Sequence, residues 1–331
     1  MPGPRVADVA TIGEADGEEA LGLVRLSPDG TRLLRMDGQV CVSGLDGSGE
    51  RCVDGQRVLT DGRFASWSPD GTRLAFTDNV WGYHEADVWV FDVRTGALTN
   101  LTDDGVDRID PENPPQGLSY DAFASWSPDG ESIRFARAGD GSAFMALLSI
   151  PADGGQPQML RAIPCRFTAL RALVWSADRV AWNCADDAMV WLGEHADTTR
   201  DRPVLAIGST EDRRMLSFSP DGRWLLADSM YATTFALWNG TPQVIPVDGG
   251  RARPAADGRI GFPTWVPGAD HTLAYVQHPG TLRIVDGPRG EPRTLYTADE
   301  AEGPDGVRLS WGTGKLLVHA GKKRILLTIE D

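Results

Sequence analysis

Two neighbouring stretches hold the side chains with the greatest capacity for chemistry. Residues 81–85 read Trp81-Gly82-Tyr83-His84-Glu85, and residues 103–121 carry Asp103, Asp104, Asp107, Asp110, Glu112 and Asp121. Carboxylates gathered in one place repel one another, and a bound cation relieves that repulsion because it can be the largest local charge in such a site. Aromatic rings beside them add a flat wall over which a cationic group can stack. The candidate ligand-binding residues are therefore Trp81, Tyr83, His84, Glu85, Asp104, Asp107 and Asp110. They suit a calcium ion or a cationic protein or peptide. The competing reading is a solvated acidic surface with Trp81 packed on its own scaffold, and residue types alone do not choose between the two because they do not show exposure.

Other chemistries find no footing. The nearest approach to a G-x-S-x-G nucleophile elbow is Gly117-Leu118-Ser119-Tyr120-Asp121, where Asp replaces the last Gly. His84, His195, His271, His278 and His319 form no H-E-x-x-H pattern or close pair, and no G-x-x-x-x-G-K-[ST] phosphate loop is present. The Asp-rich stretch lacks the ligand order of an EF-hand, so it does not by itself assign calcium, and no cofactor is identified. None of the four cysteines lies in a C-x-x-C pair, which argues against zinc. A hairpin turn at Asp46-Gly47 would pair residues whose numbers sum to 93, setting Cys41 opposite Cys52. That pair is compatible with a disulfide in an oxidising compartment and with two half-buried thiols in the cytoplasm.

The elements that must position these residues are set by a repeated turn. Ser66-Trp67-Ser68-Pro69-Asp70-Gly71 recurs letter for letter at residues 125–130, with weaker forms elsewhere. Pro presets φ for the second position of a type I turn, Asp fits the next, and Gly supplies the left-handed residue that rejoins the ladder. Each copy is a strand end, a turn and a new strand such as Leu74-Ala75-Phe76. Seven copies are centred on Ser27, Ser68, Ser127, Ser176, Ser219, Val266 and Gly312, at spacings of 41, 59, 49, 43, 47 and 46 residues. These bracket the roughly 40 to 50 residues of one four-stranded propeller blade. The expectation is an all-β chain forming a single β-propeller domain over residues 1–331, with seven four-stranded blades and six as the alternative. Trp67, Trp126, Trp175, Trp265 and Trp311, with Phe218 in the fifth repeat, recur just before each turn and are expected to pack between blades.

The chain ends supply a further constraint. After Gly314 there is room for two strands only, residues 315–319 and 324–329, so the seventh blade lacks its outer strand. Residues 5–13 can form that strand. Pairing the two termini in one blade would close the ring and remove exposed edges.

With these residues in view, the repeats and the strands Arg73-Leu74-Ala75-Phe76 and Val88-Trp89-Val90-Phe91-Asp92 resemble the WD-like repeats of TolB-type β-propellers over nearly the whole chain. The resemblance implies the fold and says little about activity, since such repeats occur in TolB and in the propeller of prolyl-oligopeptidase-like enzymes. TolB resembles a six-bladed ring behind an added amino-terminal domain, whereas seven repeats and no such domain are expected here, and a hydrolase domain of some 200 further residues is not expected beside them.

Charge excludes some partners. The net charge is −15, from 47 acidic and 32 basic side chains, which disfavours nucleic acid and anionic membranes. No apolar run approaches the roughly 18 residues of a membrane helix. The first 25 residues lack a basic start followed by an apolar stretch, which predicts a cytoplasmic protein as given, or an extracytoplasmic one if the amino terminus has been trimmed. A monomer is expected. In a four-stranded meander the Ser-Pro-Asp-Gly turns fall on one face, and the longer connections, including both chemistry-bearing stretches, fall on the other. Three functions fit this layout: a non-catalytic binding scaffold using the loop-rich acidic face, a lyase or hydrolase with its site at the central channel, and a structural subunit of a larger assembly.

Overall fold

The computed structural model describes residues 4–14, 23–36, 39–53, 65–78, 86–105, 119–139, 142–207, 213–230, 242–258, 260–277, 280–287, 290–297, 307–320 and 323–330. Among them every sheet is four-stranded and antiparallel, six of them as meanders of consecutive strands, and the seven blades form the ring. Strand β1 (Arg5–Glu14) opens the chain. Blade 1 follows as β2 (Leu23–Leu26), β3 (Arg32–Met36), β4 (Val40–Gly44) and β5 (Arg51–Cys52), and blade 2 as β6 (Ser66–Trp67), β7 (Arg73–Thr77), β8 (Val88–Asp92) and β9 (Leu98–Asn100). Blade 3 is β10 (Ser119–Trp126), β11 (Ser132–Gly139), β12 (Met145–Pro151) and β13 (Gln158–Ile163); blade 4 is β14 (Leu170–Trp175), β15 (Arg179–Cys184), β16 (Met189–Glu194) and β17 (Arg202–Ala206). Blade 5 is β18 (Arg213–Phe218), β19 (Trp224–Met230), β20 (Gln243–Pro246) and β21 (Arg253–Pro254); blade 6 is β22 (Ile260–Trp265), β23 (Thr272–Gln277), β24 (Thr281–Asp286) and β25 (Arg293–Thr297). Blade 7 holds β26 (Val307–Gly312), β27 (Lys315–Ala320) and β28 (Lys323–Glu330), and β1 pairs with β28 as its fourth strand. The ring has seven blades, not six, and it closes through both termini. This is the fold that the WD-like repeats implied.

The repeated turn works through more than its backbone. Ser27, Ser68, Ser127 and Ser219 each donate Oγ–H to the Asp two residues on, at 2.5–2.6 Å. The same carboxylates take the backbone N–H of Thr31, Thr72, Glu131 and Arg223 at 3.0 Å. The Ser127 hydroxyl and the Glu131 N–H hold the Asp129 carboxyl below its ordinary range. Gly30, Gly71, Gly130 and Gly222 then take φ between 67° and 74°, where a Cβ is costly.

Buried apolar side chains fall into groups at the blade junctions, and strand β8 shows why its sequence is a continuous apolar run. Val88 and Val90 pack toward blade 3, whereas Trp89 and Phe91 pack toward blade 1. A strand covered on both faces has no polar side. Trp126 and Trp265 are buried, and their indole N–H groups donate to Ser66 O at 3.0 Å and Ser217 O at 3.1 Å on the preceding blade. Trp67, Trp175, Trp311 and Phe218 also pack against junction groups but stay half-buried. No helix among the described residues is long and apolar enough to cross a membrane.

Of the two states that the sequence leaves open for Cys41 and Cys52, the structure has the disulfide. Cys41 stands opposite Cys52 in the β4–β5 register and is disulfide-bonded to it. A second disulfide, Cys165–Cys184, joins the connection before blade 4 to the end of β15.

Candidate functional site

The described residues at the blade 2–blade 3 junction form a carboxylate-rich mouth on the loop-rich face. Asp78 follows β7 and Asp87 precedes β8, so the two flank one connection. The Asp87 N–H donates to Asp78 Oδ1 at 2.9 Å, and the Asp78 N–H donates to Asp87 O at 3.2 Å. The Asp87 carboxylate takes Nδ2–H of Asn100 at 2.8 Å and the Thr102 hydroxyl at 3.3 Å. Thr102 is itself fixed, because its Oγ1 accepts the Val88 N–H at 2.9 Å and its N–H donates to Asn100 Oδ1 at 3.0 Å. Sheet edges and side-chain amides thus immobilise one acid that the charge pattern alone would leave in a mobile loop.

Blade 3 supplies the other wall. Asp121 in β10 is 2% exposed, and its N–H donates to Ala86 O at 2.9 Å. Arg137 in β11 reaches it with Nε–H and Nη2–H at 2.7 Å each, a planar fork matched to a carboxylate. A bulge in β10 makes this pairing: the register shifts between Ala122 and Ser125, and Phe123 takes φ 59°. Continuing the register of Trp126↔Ile133 would set Asp121 opposite Ala138, whereas the bulge sets it opposite Arg137.

Charge crowding has a direct consequence. Burial first, and then the neighbouring charges of Asp78, Asp121 and Asp104, push the Asp87 carboxyl up to about 7 against the pull of the Asn100 amide. Burial also pushes the Asp121 carboxyl up, against the pull of Arg137, while the Asp121 hydrogen bond raises the Arg137 guanidinium further. Asp104 is exposed at the rim beside Asp103, whose Oδ1 accepts the Gly105 N–H at 2.8 Å.

Of the residues singled out from sequence, Asp104 lies at this mouth. Trp81, Tyr83, His84, Glu85, Asp107 and Asp110 lie outside the described residues. Asp121 belongs to the acidic stretch seen in the sequence, whereas Asp78, Asp87, Asn100, Thr102 and Arg137 were not singled out there. The ends of the apolar strands β7 and β8 could have flagged Asp78 and Asp87 as the two ends of one connection; nothing in the sequence marks Arg137. Among the described residues, the one group close enough to share a metal is Cys41, Glu50 and Cys52, and its sulfurs are spent in a disulfide.

The fold and this mouth define a seven-bladed β-propeller with an acidic junction between its second and third blades. No family model matches the chain, and no curated protein matches it. Among solved structures, a chain of the mitotic checkpoint complex aligns with 13% identity over 99% of this chain and 92% of its own, with a TM-score of 0.59. Oligogalacturonate lyase from Vibrio parahaemolyticus aligns with 10% identity over 98% and 97%, with a TM-score of 0.58. An oligogalacturonate lyase in complex with manganese aligns with 12% identity over 99% and 98%, again with a TM-score of 0.58. At these identities the likeness is one of fold, and it joins a lyase and a component of a protein assembly on the same ring.

Proposed function

We propose that this protein is a non-catalytic binding propeller whose acidic mouth between blades 2 and 3 takes a cationic ligand, protein or peptide. The observation that carries the reading is the half-buried Asp87 carboxylate, fixed by Asn100 and Thr102 and crowded by Asp78, Asp104 and Asp121, with Arg137 committed to Asp121. A positively charged group entering the mouth offsets a repulsion that the fold otherwise sustains. Asp104, Asp107, Asp110 and Glu85 are the proposed rim contacts, with Trp81 or Tyr83 as an apolar wall and His84 beside them. Calcium is the metal ligand to test, and the manganese held by a lyase of the same fold makes a metal a reasonable occupant.

The disulfides Cys41–Cys52 and Cys165–Cys184 use all four cysteines, which supports an oxidising, extracytoplasmic location over a cytoplasmic one. A structural-subunit role needs a broad apolar face. The exposed large apolar residues among those described are Val9 on β1 and, in blade 3, Phe144 and Met159, too few for such a face, and the proposal is accordingly a monomer. A second reading draws on Asp87 itself: a carboxyl near 7 can exchange a proton at neutral pH, as a lyase base must.

Calorimetry separates these readings. Calcium and a tetralysine peptide are titrated into the wild type and into an Asp104→Asn, Asp107→Asn, Asp110→Asn triple variant. Saturable heat in the wild type, weakening with salt and lost in the triple variant, is the expected result. Absence of saturable heat with both ligands, or a triple variant that responds like wild type, would refute the assignment.

A further inference from the structure

The inner strands of the blades stand side by side around the central channel and are tied to one another, as where the Leu26 N–H of blade 1 donates to Ser310 Oγ of blade 7 at 2.8 Å. Two residues before Ser27, Ser68 and their counterparts lies a position that keeps accessible surface in all seven blades. Ser66, Ser125, Ser217, Thr264 and Ser310 occupy it in five of them, and Val174 in blade 4. Blade 1 has Arg25 there. One guanidinium therefore stands in a ring of small side chains.

Two other guanidiniums drawn into the blades, Arg137 and Arg161, each meet a carboxylate, Asp121 and Asp201, as charges taken out of water require. Arg25 meets none among the described residues. Its single partner is Ala65 O on blade 2, to which Nη1–H donates at 3.2 Å. Burial alone pushes the guanidinium down to about 10, with no neighbouring carboxylate pulling it back, so it stays charged at neutral pH. The turn carboxylates of the two blades it joins are already committed, Asp29 to Ser27 and Thr31, and Asp70 to Ser68 and Thr72. A chain of net charge −15 has carboxylates to spare, yet none is placed here. The Nε–Nη2 edge of Arg25, the edge with which Arg137 grips Asp121, is left uncommitted.

We propose that the central channel binds a small anionic ligand whose carboxylate or phosphate group is held by Arg25. The Nε–H and Nη2–H groups supply the two parallel bonds of a planar oxyanion contact. Ser66, next in the chain to Ala65, adds a hydroxyl at the same level of the ring. Charge selects the occupant: an anion offsets the cost of an unpaired buried guanidinium, whereas a neutral ligand leaves that cost in place and a cation adds to it. This site does not rest on the acidic mouth between blades 2 and 3, whose charge has the opposite sign.

The test is thermal unfolding of the full chain in sodium phosphate and in sodium malonate, each set against sodium chloride at the same ionic strength and the same neutral pH. The melting temperature should rise with at least one of the two anions in the manner of filling a single site. A rise with phosphate alone assigns a phosphate ligand to the channel, and a rise with malonate alone a carboxylate. Arg25→Met removes the charge, and Arg25→Lys keeps it without the planar fork; each should need at least about tenfold more anion for the same rise. Should Arg25→Met not fold, Arg25→Lys decides. The Asp104→Asn, Asp107→Asn, Asp110→Asn triple variant should keep the response. No rise beyond that in chloride with either anion, Arg25 variants that respond like wild type, or a response lost in the triple variant would overturn the proposal.

Discussion

Asp121 and Arg137 face each other across β10 and β11, joined by two bonds of 2.7 Å, with the Asp121 side chain 1% exposed. The pair lies within blade 3, and the Asp121 N–H separately ties that strand to blade 2 by donating to Ala86 O. Arg137→Met leaves a buried carboxylate with its main partner gone, and should cost roughly 3–5 kcal/mol at neutral pH in urea unfolding. Adding Asp121→Asn should recover part of that loss, whereas a single-variant loss below about 1 kcal/mol would mean that water screens the pair.

Asp87 contributes to stability with the opposite pH sign from the turn aspartates. Burial and the neighbouring carboxylates raise its folded pKa to about 7, well above the ordinary carboxylate value, so the unfolded chain releases this proton first as pH rises. Its share of stability is complete below about pH 4 and is lost as pH climbs to about 7. Asp87→Asn removes that loss while keeping an oxygen for Asn100. After allowance for partial exposure, the variant should gain roughly 1–2 kcal/mol over wild type at pH 8 and little at pH 4. An equal effect at both pH values in thermal unfolding would refute the raised pKa.

Trp126 is buried at the blade 2–blade 3 junction, bonded to Ser66 O and covered by Arg73 at 4.7 Å. Trp126→Ala opens a cavity there and should cost roughly 3–5 kcal/mol in chemical unfolding. A cost below about 1 kcal/mol would place the ring outside the core.

Strand β1 closes the ring on β28 in a register running from Arg5↔Glu330 to Glu14↔Lys323. Removing residues 1–14 exposes the β28 edge, and should abolish cooperative unfolding or cause aggregation. A truncated chain with unchanged melting would show that closure does not depend on this strand.

The features legible in the sequence are those that local rules determine. Pro69, Asp70 and Gly71 fix a turn through their own dihedrals and side chains, so the blades can be counted. The strand length left after Gly314 reveals that residues 5–13 are needed elsewhere, and a hairpin register puts Cys41 opposite Cys52. Features set by irregular backbone were not legible. The bulge at Phe123 moves Asp121 from Ala138 to Arg137, and no residue type announces that shift. Cys165 meets Cys184 because a connection folds back on β15, a contact that hairpin arithmetic does not reach. Asn100 and Thr102 read as ordinary strand-end residues until the fold turns them toward Asp87.

The acidic mouth is tested most directly by following the Asp87 carboxyl carbon by NMR across pH, with and without saturating tetralysine peptide. The account predicts a midpoint near 7 in the free protein, falling toward the ordinary carboxylate range when a cation occupies the mouth. A midpoint that stays where it was under saturating peptide would contradict the assignment of this junction as the cation-binding site.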